Sequence, residues 1–348
     1  MAYTTIDNPH KFFNTLLYTG DGNTGRGITG VGFQPDWLWI KRRDATEGHV
    51  LFDVVRSADA RLQSNNTNAE ADRPNIVFSF DSDGFSVSQS SVDNASNNNG
   101  GTYAAWNWKA GTTSGLSGGT ITPSAYSINA TSGFGIYKYT GTGSAGTIAH
   151  GLGKVPKMII VKPTSTTGPW VCYHVAIGND KGIVLNTDAA EYSNSNWAST
   201  TPTTSVISLR AGGDVNTSSV TYIAYVFCDV KGYSKFGSYQ GTGNADGPFV
   251  HIGFKPAWVL IKRKDSTNSW QIIDNKRNSF NLSDKLLFPD LSDAESTSSG
   301  NAIDMLSNGF KPKGTGSSTN SSGAGYLYMA FAENPFVTEG TKAAGTAR

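Results

Sequence analysis

Two histidines at matching positions are the first side chains in this sequence that could act as a general base. His150 and His251 each come shortly before a proline that introduces an apolar segment. A catalytic histidine needs a nucleophile or a carboxylate at a fixed place, and a repeated site would repeat that partner as well. No such partner recurs, and Gly30 stands where another copy of the pattern has His150. We therefore expect both histidines to form hydrogen bonds across turns, with no catalytic residues and no enzymatic activity.

Asp81 and Asp83 form an Asp-x-Asp-Gly sequence, a spacing that can supply carboxylate oxygens to calcium. No glutamate follows at the distance that a calcium loop requires, and a matching segment later in the chain has Ser307 and Asn308 instead. A turn between two strands is the favoured interpretation, because Asp-Gly and Asn-Gly are typical of hairpins. A surface calcium ion is the alternative, and we expect neither a metal site nor a cofactor.

Basic clusters follow two of the apolar segments. They read Lys41-Arg42-Arg43-Asp44 and Lys262-Arg263-Lys264-Asp265, whereas the third segment is followed by Lys162-Pro-Thr-Ser. Such clusters could bind phosphate or an acidic glycan, since ammonium and guanidinium groups pair with those anions. We favour a simpler role, in which the charges solubilise strand ends and discourage edge-to-edge pairing.

Aromatic side chains are concentrated in the middle of the chain, close to several amides and a carboxylate. Aromatic rings stack on sugar rings, and amides and carboxylates bind sugar hydroxyls, so this patch is a candidate glycan site. Its residues are Trp170, Tyr173, Asn186, Asp188, Tyr192, Asn194 and Trp197. The alternative, which we favour, is that the aromatic residues fill the core of their own sandwich.

An internal repeat must position all of these side chains. Three segments begin with a tyrosine followed by a Gly-x-Gly pair, then a proline, an apolar strand, and a closing strand that starts at a tyrosine. The opening tyrosines are Tyr18, Tyr139 and Tyr239, the prolines are Pro35, Pro156 and Pro256, and the closing tyrosines are Tyr103, Tyr222 and Tyr328. The strand after each proline is almost wholly apolar, which predicts burial on both faces. Each closing strand should pair with it.

The predicted fold is all-β, with three tandem β-sandwich modules that resemble jelly rolls. The 40 glycines and the many Ser, Thr and Asn residues suit short strands joined by tight turns. We divide the chain as follows: 1–17, an N-terminal docking segment; 18–111, repeat 1; 112–134, a Gly/Ser/Thr-rich linker and lead-in; 135–234, repeat 2; 235–336, repeat 3; and 337–348, a C-terminal tail. We expect the repeats to form a rod or a triangle.

The composition excludes several classes of function. A net charge of +1, from 28 basic and 27 acidic residues, gives no long-range field for binding nucleic acid. No apolar stretch approaches the roughly 20 residues that cross a bilayer, and no signal peptide is recognisable. Cys172 and Cys228 could form a disulfide, but two buried free thiols are favoured.

Several longer motifs stand out in the repeats, namely GFQPDWLWIKRRD, SFDSDGFSV, TYAAWNWKAG and HGLGKVPKMIIVK, and the chain opens with AYTTIDNPHKFFNTLLYTGDG. The motifs resemble a repeat of structural and tail-fibre proteins from tailed, notably marine, bacteriophages, and the opening resembles the start of the same proteins. The resemblance covers essentially the whole chain. It implies a virion protein that is made in the host cytoplasm, has no catalytic motif, and has other tail or capsid proteins as partners.

Two functions follow from that resemblance as expectations. The first is a tail-fibre or tail-associated protein that recognises the host by binding a surface glycan. The alternative is a capsid decoration, cement or tail-assembly protein without a receptor. Phage fibres are commonly trimeric, so the resemblance also implies a homo-oligomer, with a trimer favoured, although no heptads specify one.

Overall fold

The computed structural model describes residues 4–73, 76–89 and 94–335, and within them the protein is all-β, as predicted. The strands pair antiparallel, and the few helical segments are single turns at Pro9–Lys11, Gly213–Asn216 and Ser299–Asn301. The predicted C-terminal tail, 337–348, lies outside the described residues.

Repeat 1 and the residues just before it contribute β1 to β9. These are β1 (Phe13–Thr19), β2 (Arg26–Thr29), β3 (Trp37–Arg42), β4 (Val50–Asp53), β5 (Ser57–Leu62), β6 (Ala71–Asp72), β7 (Val77–Asp81), β8 (Gly84–Val87) and β9 (Thr102–Trp108). An inner sheet has the order β1-β9-β3-β4-β5-β6, and an outer sheet has the order β2-β8-β7.

Repeat 2 and its lead-in contribute β10 to β18. These are β10 (Ala125–Asn129), β11 (Phe134–Thr140), β12 (Gly146–Ala149), β13 (Pro156–Pro163), β14 (Val171–His174), β15 (Lys181–Val184), β16 (Tyr192–Ser193), β17 (Val206–Leu209) and β18 (Thr221–Cys228). The inner sheet has the order β10-β11-β18-β13-β14-β15-β16, and β12 pairs with β17 in the outer sheet.

Repeat 3 contributes β19 to β27. These are β19 (Ser234–Gln240), β20 (Val250–His251), β21 (Phe254–Arg263), β22 (Gln271–Asp274), β23 (Lys285–Leu286), β24 (Ser296–Thr297), β25 (Ile303–Leu306), β26 (Gly309–Pro312) and β27 (Gly325–Pro335). The inner sheet has the order β19-β27-β21-β22, the outer sheet has the order β20-β26-β25, and β23 pairs with β24.

The three inner sheets share one central arrangement. In each, the closing strand lies between the opening strand and the strand after the proline, which confirms the predicted pairing. The register corrects one residue: Arg42 faces Tyr103 and Arg263 faces Tyr326, so the third closing tyrosine is Tyr326 rather than Tyr328. The predicted hairpins are also present, between β7 and β8 and between β25 and β26.

Alternate residues of the post-proline strands enter two different hydrophobic cores, which explains their apolar sequences. Leu38 and Ile40 pack between the inner and outer sheets of repeat 1. Trp37 and Trp39 point the other way, into a core that also contains residues of repeats 2 and 3, such as Phe227. Burial on both faces, predicted from the sequence, is confirmed.

Backbone hydrogen bonds between the repeats run head to tail around this shared core. Each of two loop positions makes the same bond in all three copies. The first set is Gly168 N–H to Thr67 O, Asn268 to Asp188 and Glu47 to Ser292; the second is Glu70 N–H to Thr164 O, Glu191 to Lys264 and Glu295 to Arg43. Repeat 1 thus binds repeat 2, repeat 2 binds repeat 3, and repeat 3 binds repeat 1. The inner sheets form a closed ring with approximate threefold symmetry inside a single chain.

Two sheet strands involve segments that the sequence analysis assigned elsewhere. β1 begins at Phe13, so part of the predicted docking segment 1–17 lies in the inner sheet, and Phe13 stacks on Phe331 in the shared core. β10 lies within the predicted linker 112–134 and pairs with β11. Phe13 and Thr15 are buried in β1, and Ser127 and Ile128 are buried in β10, so both segments contribute to the packed faces of the sheets.

Candidate functional site

A lysine near the end of each post-proline strand is buried between two repeats. Lys41, Lys162 and Lys262 have no measurable exposure. The Nζ atom of Lys162 donates to the carbonyl oxygen of Thr67, and that of Lys262 donates to the carbonyl oxygen of Asp188, in each case in the preceding repeat. Burial lowers the pKa of all three lysines to about 8. The prediction that these clusters solubilise strand ends is therefore wrong for Lys41 and Lys262, which are buried, and Lys262 joins neighbouring repeats.

The neighbouring arginines are also engaged within the protein. Arg43 forms two hydrogen bonds of 2.9 Å to the carboxylate of Glu295, across the junction between repeats 1 and 3. Arg42 pairs with Asp44, and Arg263 pairs with Asp265. These contacts provide each guanidinium with an internal anion, so the geometry does not favour an anion site here.

A buried ion pair at the other end of the inner sheet recurs in two repeats. Nε of Arg56 lies 2.6 Å from Oδ2 of Asp53, and both side chains are fully buried. Tyr225 of repeat 2 donates its hydroxyl proton to the same carboxylate at 2.7 Å. Asp274 and Arg277 form the matching pair in repeat 3, also at 2.6 Å. A buried charge pair with extra hydrogen bonds serves structure here, because its groups have no exposed atoms for a ligand.

His174 replaces the aspartate in repeat 2. The register places it opposite Met158, as Asp53 lies opposite Trp37. Its Nδ1 accepts the N–H of Ala176, and its Nε2 lies 3.2 Å from the carbonyl oxygen of Tyr328 in repeat 3. Burial lowers the pKa of His174 to about 4, so the neutral ring makes these bonds.

A buried asparagine supports each Tyr-x-Gly-x-Gly turn, and sequence analysis missed it. The three are Asn97, Asn216 and Asn320, each six positions before a closing tyrosine. In repeat 2, Oδ1 of Asn216 accepts the N–H of Thr142 at 2.8 Å, and its Nδ2 donates to the carbonyl oxygen of Ser144 at 2.6 Å. The recurrence of asparagine at this one spacing was the signal that could have revealed it.

The first glycine of each of these turns is required by close packing. A Cβ on Gly141 would lie 2.2 Å from the carbonyl oxygen of Thr217, and Gly20 and Gly241 are equally confined. The tyrosines beside the turn stack in pairs, as with Tyr139 and Tyr222 at 5.2 Å. The motif is therefore structural: it fixes the loops at one end of the ring.

Neither histidine first considered as a base has a catalytic partner in the described structure. His150 is buried, its Nδ1 accepts the N–H of Leu152, and its Nε2 lies 3.1 Å from the carbonyl oxygen of Thr203. Burial lowers the pKa of His150. His251 is exposed at the end of β20.

The two aspartates considered for calcium stabilise turns instead. The carboxylate of Asp81 accepts two serine hydroxyls, and that of Asp83 accepts the N–H groups of Gly30 and Gly32. Among the described residues, no group of three or more His, Cys, Asp or Glu side chains is placed to hold a metal ion.

Most of the aromatic patch predicted in repeat 2 lies in the cores. Trp170 joins the shared core and donates its Nε1–H to the carbonyl oxygen of Gln63 in repeat 1. Tyr173 and Trp197 pack edge to face between the sheets of repeat 2. The favoured role, in the core of their own sandwich, is thus confirmed for Tyr173 and Trp197, whereas Trp170 lies in the core shared by the repeats and Tyr192 is 37% exposed.

The amides and the carboxylate of the patch are also separated. Oδ1 of Asn186 accepts the backbone N–H of Trp170 at 2.8 Å. Asp188 contributes its backbone to the junction with repeat 3, where its carbonyl oxygen accepts from Lys262. Only Tyr192 and Asn194 of the predicted set meet at one surface.

That surface is an open cleft of about 510 Å³ at the edge of repeat 2. Its lining includes Asp180, Tyr192, Ser193, Asn194, Ser195, Asn196, Arg210, Gly213 and Asp214. The sequence analysis did not select Asn196, Arg210 or Asp214, because they come from separate segments that the fold brings together.

Hydrogen bonds fix the cleft's side chains relative to one another. Asn194 donates to the hydroxyl of Tyr192 at 2.7 Å and accepts the N–H of Asn196 through Oδ1 at 2.5 Å. Arg210 donates to Oγ of Ser195 at 2.9 Å. Partial burial, and secondarily the nearby carboxylate of Asp214, raises the pKa of Tyr192. The cleft therefore presents a neutral phenol ring beside amides and carboxylates.

The two cysteines are free and buried, in agreement with the favoured interpretation. Cys172 packs in the shared core and Cys228 in the core of repeat 2. Burial raises the pKa of both thiols, that of Cys228 to about 12. None of the helices in the described ranges is long and apolar enough to span a membrane.

Comparison with known proteins identifies the family of the chain. The model of a family described as a domain of unknown function, DUF7483, matches residues 8–335, and the chain belongs to that family. No curated protein and no solved structure matches the chain.

Proposed function

We propose that this DUF7483 protein is a structural protein on the surface of a tailed-bacteriophage particle, and that it recognises the host by binding a cell-surface glycan. The observation that carries the glycan proposal is the repeat 2 cleft, where the ring of Tyr192 is exposed beside Asn194, Asn196 and Asp214. The phage motifs that the sequence resembles support its place on the particle.

The chemistry of the cleft suits a sugar. The C–H face of a pyranose packs on an aromatic ring, while its hydroxyls require both donors and acceptors. Asn194 and Asn196 provide amides, and Asp180 and Asp214 provide carboxylates. A cleft open to solvent can take one or two units of a long chain whose remainder stays in water.

The ring supplies the rigidity that weak polar ligands need. The inner sheet of repeat 2 is held by the shared core and by Lys162 and Lys262 at its two junctions. Side chains that are already fixed lose little conformational entropy on binding.

A glycan array of bacterial surface polysaccharides tests the ligand. We expect the purified protein to bind a subset of the array, and Tyr192→Ala to reduce affinity at least tenfold. The matched control is Phe249→Ala, which removes another exposed aromatic ring, 48% accessible, on repeat 3. Binding that survives Tyr192→Ala, or an array without any bound glycan, would overturn the proposal.

A second function, capsid decoration or tail assembly without a receptor, is favoured by the ring itself. A body with approximate threefold symmetry can make three similar contacts with a threefold position of a particle. Cryo-EM of the intact particle separates the two functions. Density that projects from the tail at low copy number supports host recognition, whereas density that tiles the capsid or forms a ring in the tail supports the second function.

A further inference from the structure

The charges that line the repeat 2 cleft restrict the class of glycan that it can take. Two carboxylates, Asp180 and Asp214, and one guanidinium, Arg210, line it, so the lining carries a net charge of −1. Both aspartates are exposed and therefore available to a ligand.

The one cation in the lining is partly engaged by the protein. Arg210 donates from one terminal nitrogen to Oγ of Ser195 at 2.9 Å and from Nε to the carbonyl oxygen of Ala211 at 3.3 Å. A bidentate contact with a ligand carboxylate needs two parallel N–H groups of the same fork. The two hydrogen bonds within the protein use Nε–H and one N–H of a terminal nitrogen, so fewer of the five donors of Arg210 remain for a ligand carboxylate.

The carboxylate acceptor of Asp214 lies on the same cleft wall as the ring of Tyr192. Asn196 is almost fully buried and its Nδ2 lies 3.4 Å from Oδ2 of Asp214, on the wall beside the phenol of Tyr192. Asp214 and Tyr192 line the same cleft, so the carboxylate lies near the aromatic surface. A ligand stacked on that ring would therefore meet an anionic acceptor.

We infer that the cleft binds a non-acidic glycan, neutral or carrying an amino sugar, and discriminates against acidic glycans such as uronic-acid polymers. The inference rests on the proposed glycan function. Hydroxyls and ammonium groups donate to the aspartates, while a sugar carboxylate would be repelled by them. Since like charges weaken binding over a screened distance of about 10 Å, the discrimination should decrease with salt.

The test compares three soluble oligosaccharide probes by calorimetry: a neutral hexose oligomer, a glucosamine oligomer and a uronic-acid oligomer. We expect the first two to bind at least tenfold more tightly than the third. Asp214→Asn should reduce the preference for the amino sugar over the neutral sugar at least threefold. Asp59→Asn, which changes an exposed carboxylate in repeat 1, is the control and should leave all three affinities unchanged.

The possible outcomes distinguish failure of the proposed glycan function from failure of the inference about the class of glycan. If no probe and no arrayed glycan binds, the proposed function fails and the inference fails with it. If glycans bind at Tyr192 but the uronic-acid oligomer binds most tightly, the function stands and this inference is overturned. Equal affinity for all three probes, unaffected by Asp214→Asn, would also overturn it.

Discussion

The hydroxyl of Tyr225 donates a 2.7 Å hydrogen bond to Oδ2 of Asp53, and the two residues belong to different repeats. Both are fully buried, and the same carboxylate is paired with Arg56. The contact joins repeats 1 and 2. At the equivalent position between repeats 3 and 1, Nε1–H of Trp106 donates a hydrogen bond to the carboxylate of Asp274. If the hydroxyl of Tyr225 is removed, the buried carboxylate of Asp53 loses a hydrogen bond that water cannot replace.

Tyr225→Phe should therefore lower the free energy of unfolding by about 1.5 to 3 kcal/mol, the range for hydrogen bonds to charged groups. Urea denaturation measures the change. Tyr192→Phe, which removes a hydroxyl at the exposed cleft, is the control and should cost much less. Equal losses in the two variants would show that the buried junction contributes nothing particular to stability.

The buried lysines predict an unusual response to alkaline pH. The pKa of Lys162 is about 8 in the folded protein and about 10.4 when unfolded, so between these values the unfolded chain binds more protons. Lys162 therefore makes the unfolding free energy increase as pH rises from about 8 to 10. In Lys162→Met this contribution is absent, so wild type should gain stability relative to the variant over that range. Parallel pH profiles of the two proteins would contradict the prediction.

Asp290 predicts the opposite dependence at acid pH. It accepts the N–H of Trp270, whereas Asn65 and Asn186 make the equivalent bonds in repeats 1 and 2. Burial raises the pKa of Asp290 to about 6, so in the folded state it holds a proton between about pH 4 and 6 that the unfolded chain has lost. Its charge costs stability above pH 6.

Asp290→Asn should accordingly raise the unfolding free energy at pH 7.5 by about 1 kcal/mol, which is less than the roughly 2.7 kcal/mol that corresponds to a pKa rise from about 4 to about 6. The gain should shrink toward zero as pH falls to 4, because the wild-type carboxyl is then neutral. Denaturation profiles at four pH values measure it. A gain that is constant with pH would mean that the charge of Asp290 is not its cause.

Asn216 supports the turn at Thr142 and Ser144, so removal of its side chain should destabilise a turn that is distant from it in the sequence. Asn216→Ala leaves the N–H of Thr142 and the carbonyl oxygen of Ser144 without their partner, at a cost of about 2 to 3 kcal/mol. Hydrogen exchange should increase in residues 141–146. Ser218→Ala, at an exposed position in the same loop, should leave both measurements unchanged.

Closure of the ring predicts the mass of the protein in solution. The head-to-tail surfaces of the three repeats are paired with one another within the chain. The homotrimer expected from fibre proteins stays a prediction, and the ring gives a physical reason to expect one chain instead. Sedimentation equilibrium should then give a mass near 37.0 kDa. A mass three times larger would favour the homotrimer.

The repeat, the closing-strand pairing and the hairpins were predictable because they depend on local pattern. The apolar run Trp37–Ile40 required burial on both faces, and Gly84 and Gly309 marked turns. Closure was not predictable from such signals, since a buried Lys41 and a surface lysine look the same in one sequence. The sequence pattern shows that a face of the strand is buried, but not that another repeat packs against it.

For the cleft, too, some features were predictable from the sequence and others were not. Trp170 and Tyr192 are both aromatic residues of the predicted patch, yet Trp170 is buried and Tyr192 is 37% exposed. Which face a residue takes depends on strand register, and a shift of one position exchanges the two faces. Arg210 and Asp214 reach the cleft from a later segment, so no local pattern links them to Tyr192.

Joining three copies in one polypeptide changes what a mutation does. In a homotrimer every substitution appears three times around the axis, so a change that suits one position must be tolerated at all of them. Here His174 stands where the other copies carry Asp53 and Asp274, and the cleft lies on one repeat. A substitution in one repeat of the single chain therefore leaves the equivalent positions of the other two repeats unchanged.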